Sequence, residues 1–195
     1  MNRFSAQPAH GLEQAPGPTL HTARLTLRPT AMADFERWCD FLSDEETARF
    51  IGGVQGPAQV WRTMMTMAGS WTMTGVGMFS VIETATGRWL GRIGPWRPEG
   101  WPGTEVGWSL HRDSHGQGYA LEAAVAAIDY AFDVLGWDEV IHCIAPENLA
   151  SARLAARIGS TNRGPGLLPP PFHEAVVDLW GQTKAEWAVN QSRLS

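Results

Sequence analysis

At 195 residues, 44% apolar and 18% charged, the chain has the length and composition of one globular domain able to bury a large core. No run of about 18 apolar residues exists to span a bilayer, and the net charge of −5 argues against nucleic acid as the main partner. Cys39 and Cys143 make no disulfide framework, and residues 1–18 lack the apolar segment of a signal peptide, so a reducing cytoplasm is the expected setting.

Residues 1–19 hold Pro8, Pro16 and Pro18 with few apolar anchors and read as a flexible leader, leaving residues 20–190 as a single domain. His21 to Pro29 sets Leu25 and Leu27 against Thr26 and Arg28, the alternation of a first strand that Pro29 closes. Phe35, Trp38, Phe41 and Leu42 stand at helical spacing over Asp34 to Leu42, with Ala33-Asp34 as the cap. Ser43 to Phe50 restarts a short second helix that Gly52 and Gly53 stop. Gln59 to Trp71 is a third helix, with Val60, Met64, Met67, Ala68 and Trp71 on one face. Such a stripe reads first as core, with an adaptable substrate pocket as the alternative.

Met78 to Glu83 and Arg88 to Ile93 read as a hairpin turning at Thr84 to Gly87. Three prolines make Pro95 to Gly103 a loop. Thr104 to Leu110 is a strand with Glu105, Gly107 and Ser109 on one face and Val106, Trp108 and Leu110 on the other. Its mid-strand Gly107 points to a bulge or a close approach. A long helix runs from near Tyr119 to Gly136, with Leu121, Ala124, Val125, Ile128, Phe132 and Leu135 as its buried face. Asp138 to Ala145 is then a buried strand, parallel to the earlier one because a helix connects them. Asn148 is well typed to cap a helix over Leu149 to Ile158, closed by Gly159. Gly164 to Pro171 reads as a loop, Ala175 to Trp180 as a last strand, and the tail from Lys184 as a short amphipathic helix.

The stretch His115-Gly-Gln-Gly-Tyr-Ala-Leu-Glu-Ala123 joins a strand to a helix start. Gly116 and Gly118 free the backbone to turn several N–H groups toward one point, where the unpaired first N–H groups and the helix dipole favour an anion. A nucleotide-hydrolase phosphate loop is excluded, because no Lys stands here, and a dinucleotide loop fits poorly, because position 121 is Leu. What remains is either a phosphate cradle of another kind, which resembles the acyl-CoA pyrophosphate loop of the GNAT N-acetyltransferases, or a loop that only turns the chain.

Six stretches in order resemble the GNAT N-acetyltransferases, and within them the branch of bacterial ribosomal-protein N-terminal acetyltransferases. They are Thr22 to Pro29, Gly87 to Gly94, Glu105 to Leu110, Gly116 to Ala123, Pro146 to Ala152 and Asp178 to Trp180. The resemblance implies an α/β (α+β) fold with a central mixed sheet, flanked by helices, whose two parallel strands splay to admit the pantetheine arm of acetyl-CoA. It implies that the pyrophosphate lies on the loop His115, Gly116, Gln117, Gly118, Tyr119 and Ala120. By the same resemblance, Asn148 holds the pantetheine arm, Ser151 protonates the leaving thiolate, and backbone N–H groups at Trp108, Ser109 and Leu110 stabilise the oxyanion.

An ammonium has no lone pair, so amine acetylation needs a base, and Glu105 is the candidate; its alternative is a strand carboxylate paired with Arg92. Glu122 is read as orienting the loop rather than doing chemistry. His115 departs from the Arg or Gln usual in the family before the first glycine; it either contacts phosphate or is an exposed loop residue. His111, His142 and His173 show no ligand spacing, so no metal is expected. The expected activity is acetyl-CoA-dependent acetylation of a primary amine, either a protein N-terminus or a small molecule. The alternative is a non-catalytic acyl-CoA sensor. Tryptophans at the surface are the candidate face for a homodimer.

Overall fold

The computed structural model describes residues 15–193. One eight-stranded sheet runs through it, built from β1 (Leu20–His21), β2 (Leu25–Arg28), β3 (Phe79–Glu83), β4 (Trp89–Trp96), β5 (Glu105–Leu110), β6 (Glu139–Ile144), β7 (Thr161–Gly166) and β8 (Val177–Thr183). The order across the sheet is β1-β2-β3-β4-β5-β6-β8-β7, and β5 with β6 is the parallel pair. The helices are α1 (Phe35–Ser43), α2 (Glu45–Ala48), α3 (Pro57–Thr74), α4 (Tyr119–Asp133), α5 (Leu149–Arg157) and α6 (Lys184–Gln191). The mixed sheet with flanking helices expected from the sequence is therefore the architecture observed.

Alternation along the strands divides the core between the two faces. Val81, Leu90, Ile93 and Val106 pack with Ala123, Ala127, Ile128 and Ala131 of α4, while Ile82 and Trp89 pack with Trp38, Phe41 and Leu42 of α1 and Met64 and Met67 of α3. Trp38, Phe41 and Met64 are at most 1% exposed, and burying each such side chain contributes about 1.5–3 kcal/mol. The Met and Trp stripe of α3 is core. The face of α4 against the sheet is made mainly of alanines, which let helix and sheet approach closely; Leu121, Val125 and Leu135 are only partly covered.

Several elements differ from the sequence reading. The first strand is two short strands, because Thr22 Oγ1 accepts from the Leu25 N–H and closes a turn between them. Asp34 does not cap α1 with its side chain: it accepts from Arg28 at 2.6 and 2.9 Å, from the Ala31 N–H and from Ser80 Oγ, a buried hub joining β2, β3 and the start of α1. Strand β4 continues through Pro95 and Trp96, which pair with Val106 and Glu105. Its ladder with β3 ends at Ile93, so Pro95 has a strand neighbour on one side only, where a missing N–H is tolerated. For the same reason Pro165 fits in β7, an edge strand across residues that read as loop. Gly107 is a close approach: a Cβ there would lie 2.6 Å from Met78 Cε.

The end of the expected leader is tied down at Ala15, whose N–H donates to the Thr30 carbonyl, and the rest of it lies outside the described residues. Of ten tryptophans Trp61 alone is largely exposed, so no tryptophan patch supports the expected dimer face. Among the described residues no helix is long and apolar enough to cross a membrane.

Candidate active site

The two parallel strands separate almost at once. Glu105 opposes Ile141, and the Ile141 N–H donates to the Thr104 carbonyl at 2.9 Å, but no further rung follows. In a regular parallel ladder the next bond would run from Cys143 N–H to the Val106 carbonyl. Instead the Cys143 N–H donates to Glu105 Oε1 at 3.2 Å, and the Val106 carbonyl accepts from His142 Nδ1 at 2.7 Å. Two side chains have replaced one backbone bond and hold the strands apart.

His142 is the wedge. A carbonyl only accepts, so Nδ1 carries the proton, leaving Nε2 to accept from Ser160 Oγ at 2.9 Å. Complete burial pushes this imidazole down to about 4, and it stays neutral. Its ring also packs on Trp108, with centroids 4.5 Å apart.

Beyond the wedge, β5 has an open edge. The His111 N–H reaches the Leu90 carbonyl of β4 side while Val106 faces β6, so alternation turns the N–H and C=O groups of Val106, Trp108 and Leu110 toward the gap. Each of the three carbonyls already accepts a side-chain donor: His142 at Val106, Ser109 Oγ at Trp108 (2.8 Å) and His115 Nε2 at Leu110 (3.0 Å). The N–H groups of Trp108 and Leu110 are left as donors facing the gap. Ser109 contributes through its hydroxyl, not its N–H, which points toward β4. His115, exposed as a residue, spends one ring nitrogen bracing the strand end.

On the far side of the gap, Asn148 Oδ1 accepts from the Ser151 N–H at 3.1 Å and caps α5. Ser151 Oγ in turn accepts from Trp108 Nε1 at 3.1 Å. Its own hydrogen is therefore free to be donated elsewhere.

The glycine loop follows β5 through a 3₁₀ turn at Arg112–Ser114. Gly116 and Gly118 take φ of +74° and +80°, left-handed values that cost other residues about 1–2 kcal/mol. No acceptor among the described residues meets the N–H groups of Gly116, Gln117, Gly118, Tyr119 or Ala120. These five, at the N-terminus of the fifteen-residue α4, form a donor cradle of the kind that a pyrophosphate fills. Glu122 orients it: its carboxylate accepts from Thr22 Oγ1 (2.6 Å), the Arg24 N–H (2.8 Å) and Arg24 Nε (2.7 Å). Arg24 also donates to the Gln117 carbonyl at 3.0 Å and lies over the Tyr119 ring, whose hydroxyl donates to Glu83. The sequence reading missed Arg24; only its contact across 93 residues reveals the role.

Glu105 sits at the mouth of the gap, 7% exposed. It is neither a solvated carboxylate nor an ion-pair partner of Arg92: its hydrogen bonds come from the Cys143 N–H and from Trp101 Nε1. Burial raises its carboxyl to about 7, against the lowering pull of those bonds and of the more distant Arg92 charge. Trp101 packs edge-on against Phe172, with ring centroids 6.5 Å apart, and also lines a cleft of about 460 Å³ with Thr74, Val76, Arg97 and Glu99. Burial, and then the neighbouring Glu105 charge, push the Cys143 thiol well above the usual range, which disfavours its thiolate. Among the described residues no three His, Cys, Asp or Glu side chains gather as a metal-holding group.

Known proteins resemble this chain in sequence and fold. Residues 24–161 match the acetyltransferase (GNAT) domain. The uncharacterized N-acetyltransferase p20 of Bacillus licheniformis is 31% identical over 150 residues, covering 75% of this chain and 84% of that protein. The crystal structure of an acetyltransferase from Agrobacterium tumefaciens superposes with a TM-score of 0.75 at 32% identity, over 90% of this chain and 99% of that one. The ribosomal-protein-S5-alanine acetyltransferase of Vibrio fischeri, at 15% identity, shares the fold with a TM-score of 0.68 over 87% of this chain and 98% of its own. A splayed parallel pair, a glycine cradle opening a helix and these matches have one explanation: the chain belongs to the GNAT acetyltransferase family.

Proposed function

We propose that the protein is a cytoplasmic, acetyl-CoA-dependent N-acetyltransferase that moves an acetyl group to a primary amine by direct attack on the thioester. The observation that carries this reading is Glu105, a buried carboxylate raised to about 7, at the point where the strands part. The cradle from Gly116 to Ala120 suits the pyrophosphate of the co-substrate, and the gap between β5 and β6 suits its pantetheine arm, with Asn148 at the edge of the gap. Acetyl-CoA supplies an activated acyl group; the protein supplies position and protons.

Glu105 takes a proton from the acceptor's ammonium, directly or through one water, and a base near 7 is matched to neutral pH. The N–H groups of Trp108 and Leu110 face the developing oxyanion, an arrangement made donor-rich because the neighbouring carbonyls are already occupied. Ser151, held by Trp108 and turned with its hydrogen free, donates to the departing thiolate and regains a proton from the acylated nitrogen, which sheds its second proton as the amide forms. The products are the N-acetyl amine and free coenzyme thiol. The acceptor approaches from the side of Trp101 and its cleft.

Calorimetric titration with acetyl-CoA, followed by thiol release across a panel of amines, tests this. Micromolar binding with thiol release on one class of amine is the expected result. Binding without release from any amine would leave a sensor, and absence of binding would reduce the glycine loop to a turn.

A further inference from the structure

Four buried side-chain nitrogens have no hydrogen-bond partner among the described residues: Arg37 Nε, Trp38 Nε1, Arg92 Nε and Arg92 Nη1. All are donors, and all lie on α1 or on the strand it covers. The Arg92 guanidinium carbon stands 5.3 Å from the Trp38 ring centroid, and Arg92 is 7% exposed. The face of Trp38 lies against its charge and Glu105 attracts it from farther off, but no carboxylate among the described residues comes within ion-pair distance. A buried cation with orphaned donors costs stability unless something acceptor-rich and negative joins it. The strain is visible in Arg92 itself, which burial draws down to about 10.

The register says what that something faces. Arg92 opposes Ser109, Gly94 opposes Gly107, and Trp96 opposes Glu105, so all six side-chain positions share one face of the sheet. Between Arg92 and Glu105 the floor is two glycines, Gly94 and Gly107, and the methyl end of Met78 covers Gly107. Methionine is the side chain best able to swing aside for a guest. A strip with a base at one end, an unpaired guanidinium at the other and a displaceable thioether between them fits a molecule carrying an amine and an anion together. A planar carboxylate matches the planar guanidinium.

We propose that Arg92, with Trp38 Nε1, is the receptor for a carboxylate on the acceptor, making the preferred substrate an amino carboxylic acid. The assignment rests on Glu105 as the base for the amine of the same molecule.

The test pairs each of a set of α- and ω-amino acids with its own amide, which keeps the amine and removes the carboxylate. Thiol release is measured for wild type, Arg92→Met and Arg92→Lys, with rates compared on the high-pH plateau and referred to the free amine, because the Arg92 charge also lowers the Glu105 carboxyl. Wild type is expected to favour at least one acid over its amide by roughly 30-fold in kcat/KM, the scale of a charged hydrogen-bonded contact. Arg92→Met brings that ratio to within about threefold by slowing the acid alone, leaves the amide rate and the acetyl-CoA affinity unchanged, and Arg92→Lys restores part of the preference. Equal use of acid and amide by wild type overturns the proposal, as does an equal loss on both in Arg92→Met. Acetyl-CoA binding with release from no amino acid also overturns it and leaves acyl-CoA binding standing. Absence of acetyl-CoA binding by wild type would instead sink the enzymatic reading beneath it. Thermal melts of both variants confirm folding, which removal of an unpaired cation does not threaten.

Discussion

On the edge of β5 that faces β6, the site is made of backbone: N–H groups of Trp108, Leu110 and the loop from Gly116 to Ala120, with side chains serving only to occupy carbonyls or fix turns. On the face of β5 toward α1 it is made of side chains, Glu105, Trp101, Arg92 and Met78, brought from separate elements. On the proposed function, the first region meets the acyl coenzyme, through N–H donors that its two glycines position. On the same proposal the second handles the proton and the acceptor, so single substitutions there should alter chemistry without touching coenzyme affinity.

Glu105→Gln is the sharpest break of that division. It should lower kcat/KM by about 100-fold or more while acetyl-CoA affinity holds, the scale of a lost general base. The wild-type profile should rise with pH through about 7 and then level, because the base works only when deprotonated. Glu105→Gln should lack that limb; retention of it in the variant would assign the limb to another group. Gly118→Val is the converse. A β-branched residue at φ +80° distorts the cradle, so acetyl-CoA should bind roughly tenfold more weakly by calorimetry, with the pH limb unmoved. Ser151→Ala should slow turnover by about fivefold to tenfold at unchanged coenzyme affinity, a modest loss because a thiolate leaves well. Unchanged turnover would remove Ser151 from the chemistry.

The same division explains what the sequence disclosed. The cradle is local, and its two glycines, the helix start and the Asn148 cap can be read within a few residues of one another. The splay is not local: nothing near His142 announces that it will meet Val106, 36 residues away, and it looks like any histidine on a buried strand. Arg24 is equally silent, since its partner Gln117 lies 93 residues away. Pro95 and Pro165 misled for a related reason. Proline excludes a strand only where a neighbour stands on the side its N–H would face, and whether a strand has one neighbour or two is a property of the finished sheet. Glu105 was legible as the candidate base, but its burial and its bond to Trp101 were not.

Trp101 offers the smallest and most discriminating effect. It lies in a loop rich in proline and glycine, donates to Glu105, and presents its ring to Phe172. Its bond favours the charged carboxylate, so removing it should raise the Glu105 carboxyl above its present value of about 7. Trp101→Phe keeps an aromatic ring for Phe172 and deletes the donor. One hydrogen bond of about 1 kcal/mol corresponds to roughly 0.7 pH unit. The limb in kcat/KM should therefore move up by about that much. Activity at pH 7 should fall roughly threefold, while the plateau at high pH stays within a factor of about two. A plateau that falls as far as the pH 7 rate would mean that the indole touches the acceptor itself, placing Trp101 with Arg92 among the residues that select the substrate. A limb that does not move would mean that Glu105 is not the group titrating.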